Sequence, residues 1–174
     1  VRWRIAAVVA AAGLVSACTA TVTGTPQPAP GRVTVAPVSS TDPCTLLTTD
    51  EAADLGLGPG TPMPAQPKQR VPPGCDFRPT DPEADLDDSV QLFYGTDQTM
   101  AEYFAAQPVG EKELGGVTWQ VYSSIMGDWL CNLGTELGET EFVVISGQNL
   151  MEPEKSCVVA ERVAPTVATH LPPH

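Results

Sequence analysis

Apolar and polar residues alternate with a period of two through much of the second half of the chain, which predicts half-buried β-strands. In Ser89–Tyr94 the residues Val90, Leu92 and Tyr94 share one face and Phe93 points to the other. Val117, Trp119 and Val121 alternate with Thr118, Gln120 and Tyr122 over Val117–Ser123. Glu111–Leu114 precedes that segment across Gly115-Gly116, a two-residue hairpin signal. Trp129–Leu137 and Thr140–Ile145 predict a second hairpin around Gly138-Glu139, and Cys75–Arg78 reads as one more short strand.

Helix signals punctuate these strands. Thr48-Thr49-Asp50-Glu51 and Thr99-Met100-Ala101-Glu102 are capping boxes, in which a threonine hydroxyl and a glutamate three residues on satisfy each other's backbone amides. The first opens a short helix with Ala52, Ala53 and Leu55, stopped by Gly56. The second carries Met100, Tyr103 and Phe104 and ends at Gln107-Pro108. From Glu152 to about Thr169 the period becomes helical, with Cys157, Ala160, Val163, Ala164 and Val167 on one face. Pro165 lies within that helix and is expected to kink or shorten it. Residues 58–74 hold six prolines and are expected to form an irregular loop. The order of elements implies an α+β domain, a mostly antiparallel sheet with helices packed on one face.

The N-terminus has a different pattern. Arg2 and Arg4 precede the apolar run Ile5–Val15, followed by Leu14-Val15-Ser16-Ala17-Cys18. A charged flank and a short apolar run form a secretory signal; the run has roughly half of the about 20 residues a spanning helix needs. Its end resembles the lipobox of bacterial lipoproteins, in which the cysteine receives diacylglycerol and becomes the mature N-terminus. Residues 1–17 are thus expected to be a lipoprotein signal peptide and Cys18 the lipidation site. Residues 18–41 are rich in threonine and proline, as in Gly24-Thr25-Pro26-Gln27-Pro28-Ala29-Pro30, and are expected to form a flexible tether. Residues 42–174 then form a single domain, long enough for one core.

Four cysteines remain: Cys44, Cys75, Cys131 and Cys157. An even number in an exported chain reads as a disulfide framework with three possible pairings. The sequential pairing Cys44–Cys75 and Cys131–Cys157 needs no chain crossing. Each bridge would close a loop of roughly 30 residues, worth about 3–4 kcal/mol on the chain-entropy model. Zinc is the competing reading, disfavoured because no pair has Cys-x-x-Cys spacing and His170 and His174 lie in the last residues.

Charge narrows the partners. Of 9 basic side chains, the leader removes Arg2 and Arg4, which leaves 7 against 21 acidic ones, a net charge of −14. That balance repels phosphate backbones and anionic headgroups, so no nucleic-acid partner is expected, and membrane attachment must come from the lipid on Cys18.

Asp42-Pro43-Cys44-Thr45-Leu46-Leu47-Thr48, then Glu51-Ala52 and Leu55-Gly56, resembles the opening of a family of small actinobacterial lipoproteins of unknown function, with LprB-like and LprC-like mycobacterial members. The pattern continues through Cys75, the hairpin Gly116-Val117-Thr118-Trp119, Cys131 and Cys157, and the tether start Cys18-Thr19 with Thr23-Gly24-Thr25 is similar too. Cys75-Asp76-Phe77 departs from it, since the family often has tryptophan after the cysteine. The resemblance implies a lipid-anchored extracytoplasmic domain with two disulfides, and it carries over no catalytic residues.

A search for chemistry finds little. There is no Gly-x-Ser-x-Gly elbow, the cysteines are better used as cross-links, and the histidines fall at a terminus expected to fray. Leu55-Gly56-Leu57-Gly58-Pro59-Gly60 lacks the Lys-Ser/Thr of a phosphate loop. Asp81-Pro82-Glu83-Ala84-Asp85-Leu86-Asp87-Asp88 could offer oxygens to calcium, yet it lacks the EF-hand glycine and has Leu92 at position twelve; a solvated acidic loop is the simpler reading. Trp119 and Trp129 are expected to be core or sheet-face residues rather than ligand stackers. The expectation is a non-enzymatic cell-envelope lipoprotein on the outer face of the cell membrane, without cofactor or metal, binding an unknown envelope protein or small ligand. Its alternatives are a lipid or glycolipid carrier with a cavity between sheet and helix and, more weakly, a carboxylate-based envelope hydrolase.

Overall fold

The computed structural model describes residues 42–84 and 87–172. The expected leader, Cys18 and the tether lie outside the described residues, as do Asp85, Leu86 and His174. No helix among the described residues is long and apolar enough to cross a membrane.

Among the described residues there are seven strands: β1 (Thr61–Met63), β2 (Gly74–Phe77), β3 (Ser89–Gly95), β4 (Gly110–Leu114), β5 (Val117–Ser123), β6 (Leu130–Glu136) and β7 (Phe142–Gln148). The α-helices are α1 (Thr49–Asp54), α2 (Met100–Phe104) and α3 (Ser156–Ala168). All strands join one sheet in the order β1-β2-β3-β7-β6-β5-β4, with every neighbouring pair antiparallel. Two meanders, β1–β3 and β4–β7, therefore meet along β3 and β7, from Ser89 opposite Gln148 to Gly95 opposite Phe142. The fold is α+β and largely antiparallel, as the alternation predicts.

Register assigns each side chain a face. Val90, Leu92 and Tyr94 line up with Val143, Ile145 and Leu133 on the first face, and Trp119 joins them. Above them α3 lays down Val159, Ala160, Val163, Ala164 and Val167, all at most 1% exposed. Leu46, Leu47, Ala52 and Leu57, from the segment around α1, extend this cover. Contact with the sheet is closest at Gly147, where a Cβ would come within 2.4 Å of the Ser156 carbonyl oxygen, so a side chain there would push the helix away. The main helix and α1 thus share one face. The five-residue α2 sits on the other, where Met100, Tyr103 and Phe104 cluster with Phe93, Tyr122, Phe142 and Val144.

Three local expectations need correction. Residues 58–74 are not wholly irregular: β1 pairs with β2, placing Pro62 opposite Cys75. Proline is tolerated there because β1 is an edge strand and needs no second ladder. Pro165 does not shorten α3, which runs on to Ala168; in the last turn its missing amide removes one hydrogen bond and leaves the packed face intact. The terminal segment also starts later than predicted, since Pro153–Lys155 form a 3-10 turn before α3.

Both capping boxes form, with Thr48 and Thr99 accepting from the amides of Glu51 and Glu102. Gly56, at φ 76°, ends the first helix. Cys44 pairs with Cys75 and Cys131 with Cys157, the sequential connectivity. The first bridge ties the segment before α1 to β2; the second ties β6 to the first turn of α3. Replacing Cys131 and Cys157 together with serine should lower unfolding stability by about 3–4 kcal/mol in denaturant titration. An unchanged midpoint, or peptide mapping that joins Cys44 to Cys131, would contradict this arrangement.

Candidate ligand-binding groove

The second face is only partly covered. α2 roofs one end of it, over Phe93, Phe142 and Val144. Beside α2 the sheet stays open as a groove of about 330 Å³, within the about 300–1,000 Å³ typical of ligand pockets. Tyr103 and Phe104 of α2 form one wall, Ile125 and Met126 of the β5–β6 loop another, and Gln69–Val71 a third. Ile125 is 97% exposed and Met126 66%, so two large apolar side chains stand in solvent at the rim.

The floor is polar. Gln91 on β3, Ser146 on β7 and Asn132 on β6 lie directly opposite one another across three strands, flanked by Asp76 and Tyr122 in the same row. Ser146 is 3% exposed and Asn132 7%. The Ser146 hydroxyl donates to Asn132 Oδ1 at 2.6 Å, and Gln91 Nε2 donates to Asp76 Oδ1 at 3.3 Å. The Asn132 amino group and Gln91 Oε1 have no partner among the described residues. Tyr103 packs against Phe93, Phe104 and Phe142. Burial pushes its phenol up to about 12, with no hydrogen bond contributing.

The third wall is held by a buried amide. Gln98 Nε2 donates to the Arg70 carbonyl oxygen at 2.8 Å and so ties the loop bridged at Gln66 and Val71 to the segment before α2. Arg70 adopts a left-handed backbone conformation, φ 56°, unusual for a side chain with a Cβ. Gln98 Oε1 is buried without a donor among the described residues, beside a smaller cavity of about 170 Å³ that Arg70 also lines.

The residues singled out from sequence are elsewhere. Trp119 is fully buried in the core of the first face, its indole donating to the Leu114 carbonyl; Trp129 is half-buried and donates to that of Met126. In the acidic run, Asp87 accepts from the amides of Leu150 and Met151, and Asp88 from Asn149 Nδ2 at 3.0 Å. Those carboxylates brace the β7–α3 loop, and no group of three or more His, Cys, Asp or Glu side chains among the described residues could hold a metal.

His170 is not frayed. Its Nε2 lies 2.9 Å from both Glu51 carboxylate oxygens, and its side chain is 14% exposed. Glu51 also accepts from the Thr48 amide and hydroxyl, so the carboxylate sits between threonine and imidazole. A nucleophile triad needs the imidazole in the middle; this cluster instead clamps the end of α3 to the start of α1. Partial burial pushes the Glu51 carboxyl up, but bonds from Thr48 and His170 outweigh that and hold it below the usual carboxylate range.

The molecule is therefore a disulfide-linked α+β domain with one sealed face and one grooved face. The chain belongs to the family described as "Protein of unknown function (DUF3558)", whose model matches residues 13–170. No curated protein and no solved structure matches it.

Because the folded-state pKa of Glu51 is lowered, its contribution to stability is present above the unfolded value and lost as pH falls through the folded one. Glu51→Gln should therefore be less stable than the parent at neutral pH, with the gap closing below about pH 4. Urea unfolding across pH 2–7 checks this, and a gap that persists at the acid end would contradict it.

Proposed function

We propose that the protein is an extracytoplasmic lipoprotein of the LprB-like and LprC-like kind, acylated on Cys18, whose domain binds a ligand without transforming it. The anchor reading rests on Arg2 and Arg4, the apolar run and Leu14-Val15-Ser16-Ala17-Cys18. The family match begins at residue 13, so Leu14-Val15-Ser16-Ala17-Cys18 falls inside the matched span, while Arg2, Arg4 and most of the apolar run precede it. Two disulfides suit the oxidising conditions outside the cytoplasmic membrane. In this reading, residues 18–41 hold the domain away from the bilayer and the lipid chain alone supplies attachment.

The observation that carries the binding role is the groove: a polar floor buried beside exposed Ile125 and Met126. The Asn132 amino group and Gln91 Oε1 are open to solvent rather than sealed, so a ligand can bond to them directly in place of water. The carrier reading has less support, because the layer between α3 and the sheet is filled by Val159, Ala160, Val163, Ala164 and Val167. A hydrolase has less support as well, since the cluster at His170 brings no serine or cysteine to the imidazole.

Cys18→Ala should block acylation and move the protein from the membrane fraction to the soluble fraction with its circular dichroism unchanged. Mass spectrometry of the parent protein should find a diacylglyceryl group on residue 18 at the N-terminus. Unchanged fractionation, or a mature chain that retains residues 1–17, would overturn the anchor.

A further inference from the structure

The floor of the groove indicates what kind of ligand it takes. We propose, building on the binding role above, that the groove binds a short neutral saccharide. The row Gln91–Ser146–Asn132 is uncharged and offers unused hydrogen-bonding capacity of both signs: the Asn132 amino group donates and Gln91 Oε1 accepts. Tyr103 adds a hydroxyl that can do either and that no described residue engages. Around this polar row stand apolar side chains: Phe104 on one wall, Ile125 and Met126 on another, and Leu130 beside Asn132 on the same face of β6. The groove thus offers polar and apolar contacts together.

A pyranose ring has surfaces to match both. Its hydroxyl edge both donates and accepts, while its C–H face is apolar and packs on aromatic or aliphatic walls. Other ligand classes fit less well. A hydrocarbon chain would seal Asn132, Gln91 and Tyr103 away from water without giving them partners, and each orphaned group is costly. An extended peptide gains most by adding to a free strand edge; here β3, β7 and β6 are paired on both sides and only their faces are open. An anion would meet no cation on the floor, and Asp76 stands at the end of the row. Arg70, the cation among the lining residues, is exposed on the loop wall.

The test is a binding screen with the full chain in detergent against an array of neutral gluco-, galacto-, manno- and N-acetylglucosamine oligosaccharides. Uncharged peptides and a long-chain fatty acid are included as competing classes, and hits are followed by calorimetry. A neutral oligosaccharide should bind, and Tyr103→Phe, which removes one hydroxyl and keeps the packing, should weaken it about tenfold, the scale of one lost hydrogen bond. Asn132→Leu should weaken it at least as much, while Val158→Asp on the outer side of α3 should change nothing. No oligosaccharide binding, or binding that Tyr103→Phe and Asn132→Leu leave intact, overturns the proposal. If peptide or fatty acid binds and is lost in these variants, the groove remains a binding site and the saccharide assignment fails. If no class responds to the variants, the groove reading fails with it.

Discussion

The contact between α3 and β7 is what the rest of the molecule is arranged around. β7 lies at the centre of the sheet, between β3 and β6, and all seven of its residues are buried. α3 reaches it because Gly147 leaves no side chain in the way of the Ser156 carbonyl. The Cys131–Cys157 bridge then ties the first turn of the helix to β6, next to β7. A helix with one proline in its last turn gains little from propensity alone; packing and a covalent link hold it in place. At the other end of α3, His170 closes onto Glu51 and joins the helix to α1.

A central strand buried on both faces needs two covers, and the second cover is small. α2 has five residues and protects only the end of the sheet near Phe142 and Val144. It fits closely there: a Cβ on Gly134 would come within 2.5 Å of Met100 Sδ. Beyond α2 the residues on that face change from aromatic and aliphatic to Gln91, Ser146 and Asn132, and the groove begins at that change. The same asymmetry accounts for the placement of the disulfides. Both link elements of the sealed side, and neither ties down α2 or the β5–β6 loop.

Much of the fold was legible because its signals are local. Two capping boxes, the Gly115-Gly116 hairpin, the alternation in Ser89–Tyr94 and the helical stripe from Cys157 to Val167 each follow from spacing alone. β1 was hidden because its three residues include Pro62 and acquire strand geometry only by pairing with β2. His170 read as a frayed end because its partner, Glu51, is 119 residues away. The groove was the least legible part. Asn132 and Ser146 look like ordinary polar positions in strands, and only the pairing of β3, β7 and β6 lines them up with Gln91. The one sequence signal available was Ile125-Met126, two large apolar residues in a segment otherwise composed as a turn.

One face of the sheet is sealed by α3 and the other is only partly covered by α2, so the two covers should differ in local stability. Native-state hydrogen exchange on the full chain measures this directly, since protection reports the free energy of local opening. Amides of β3, β6, β7 and α3 should exchange slowest and together, through global unfolding. Those of α2 and of residues 124–129 should exchange much faster, through local opening. Protection of α2 and that loop equal to that of α3 would mean that the second face is sealed like the first, and the account would be wrong.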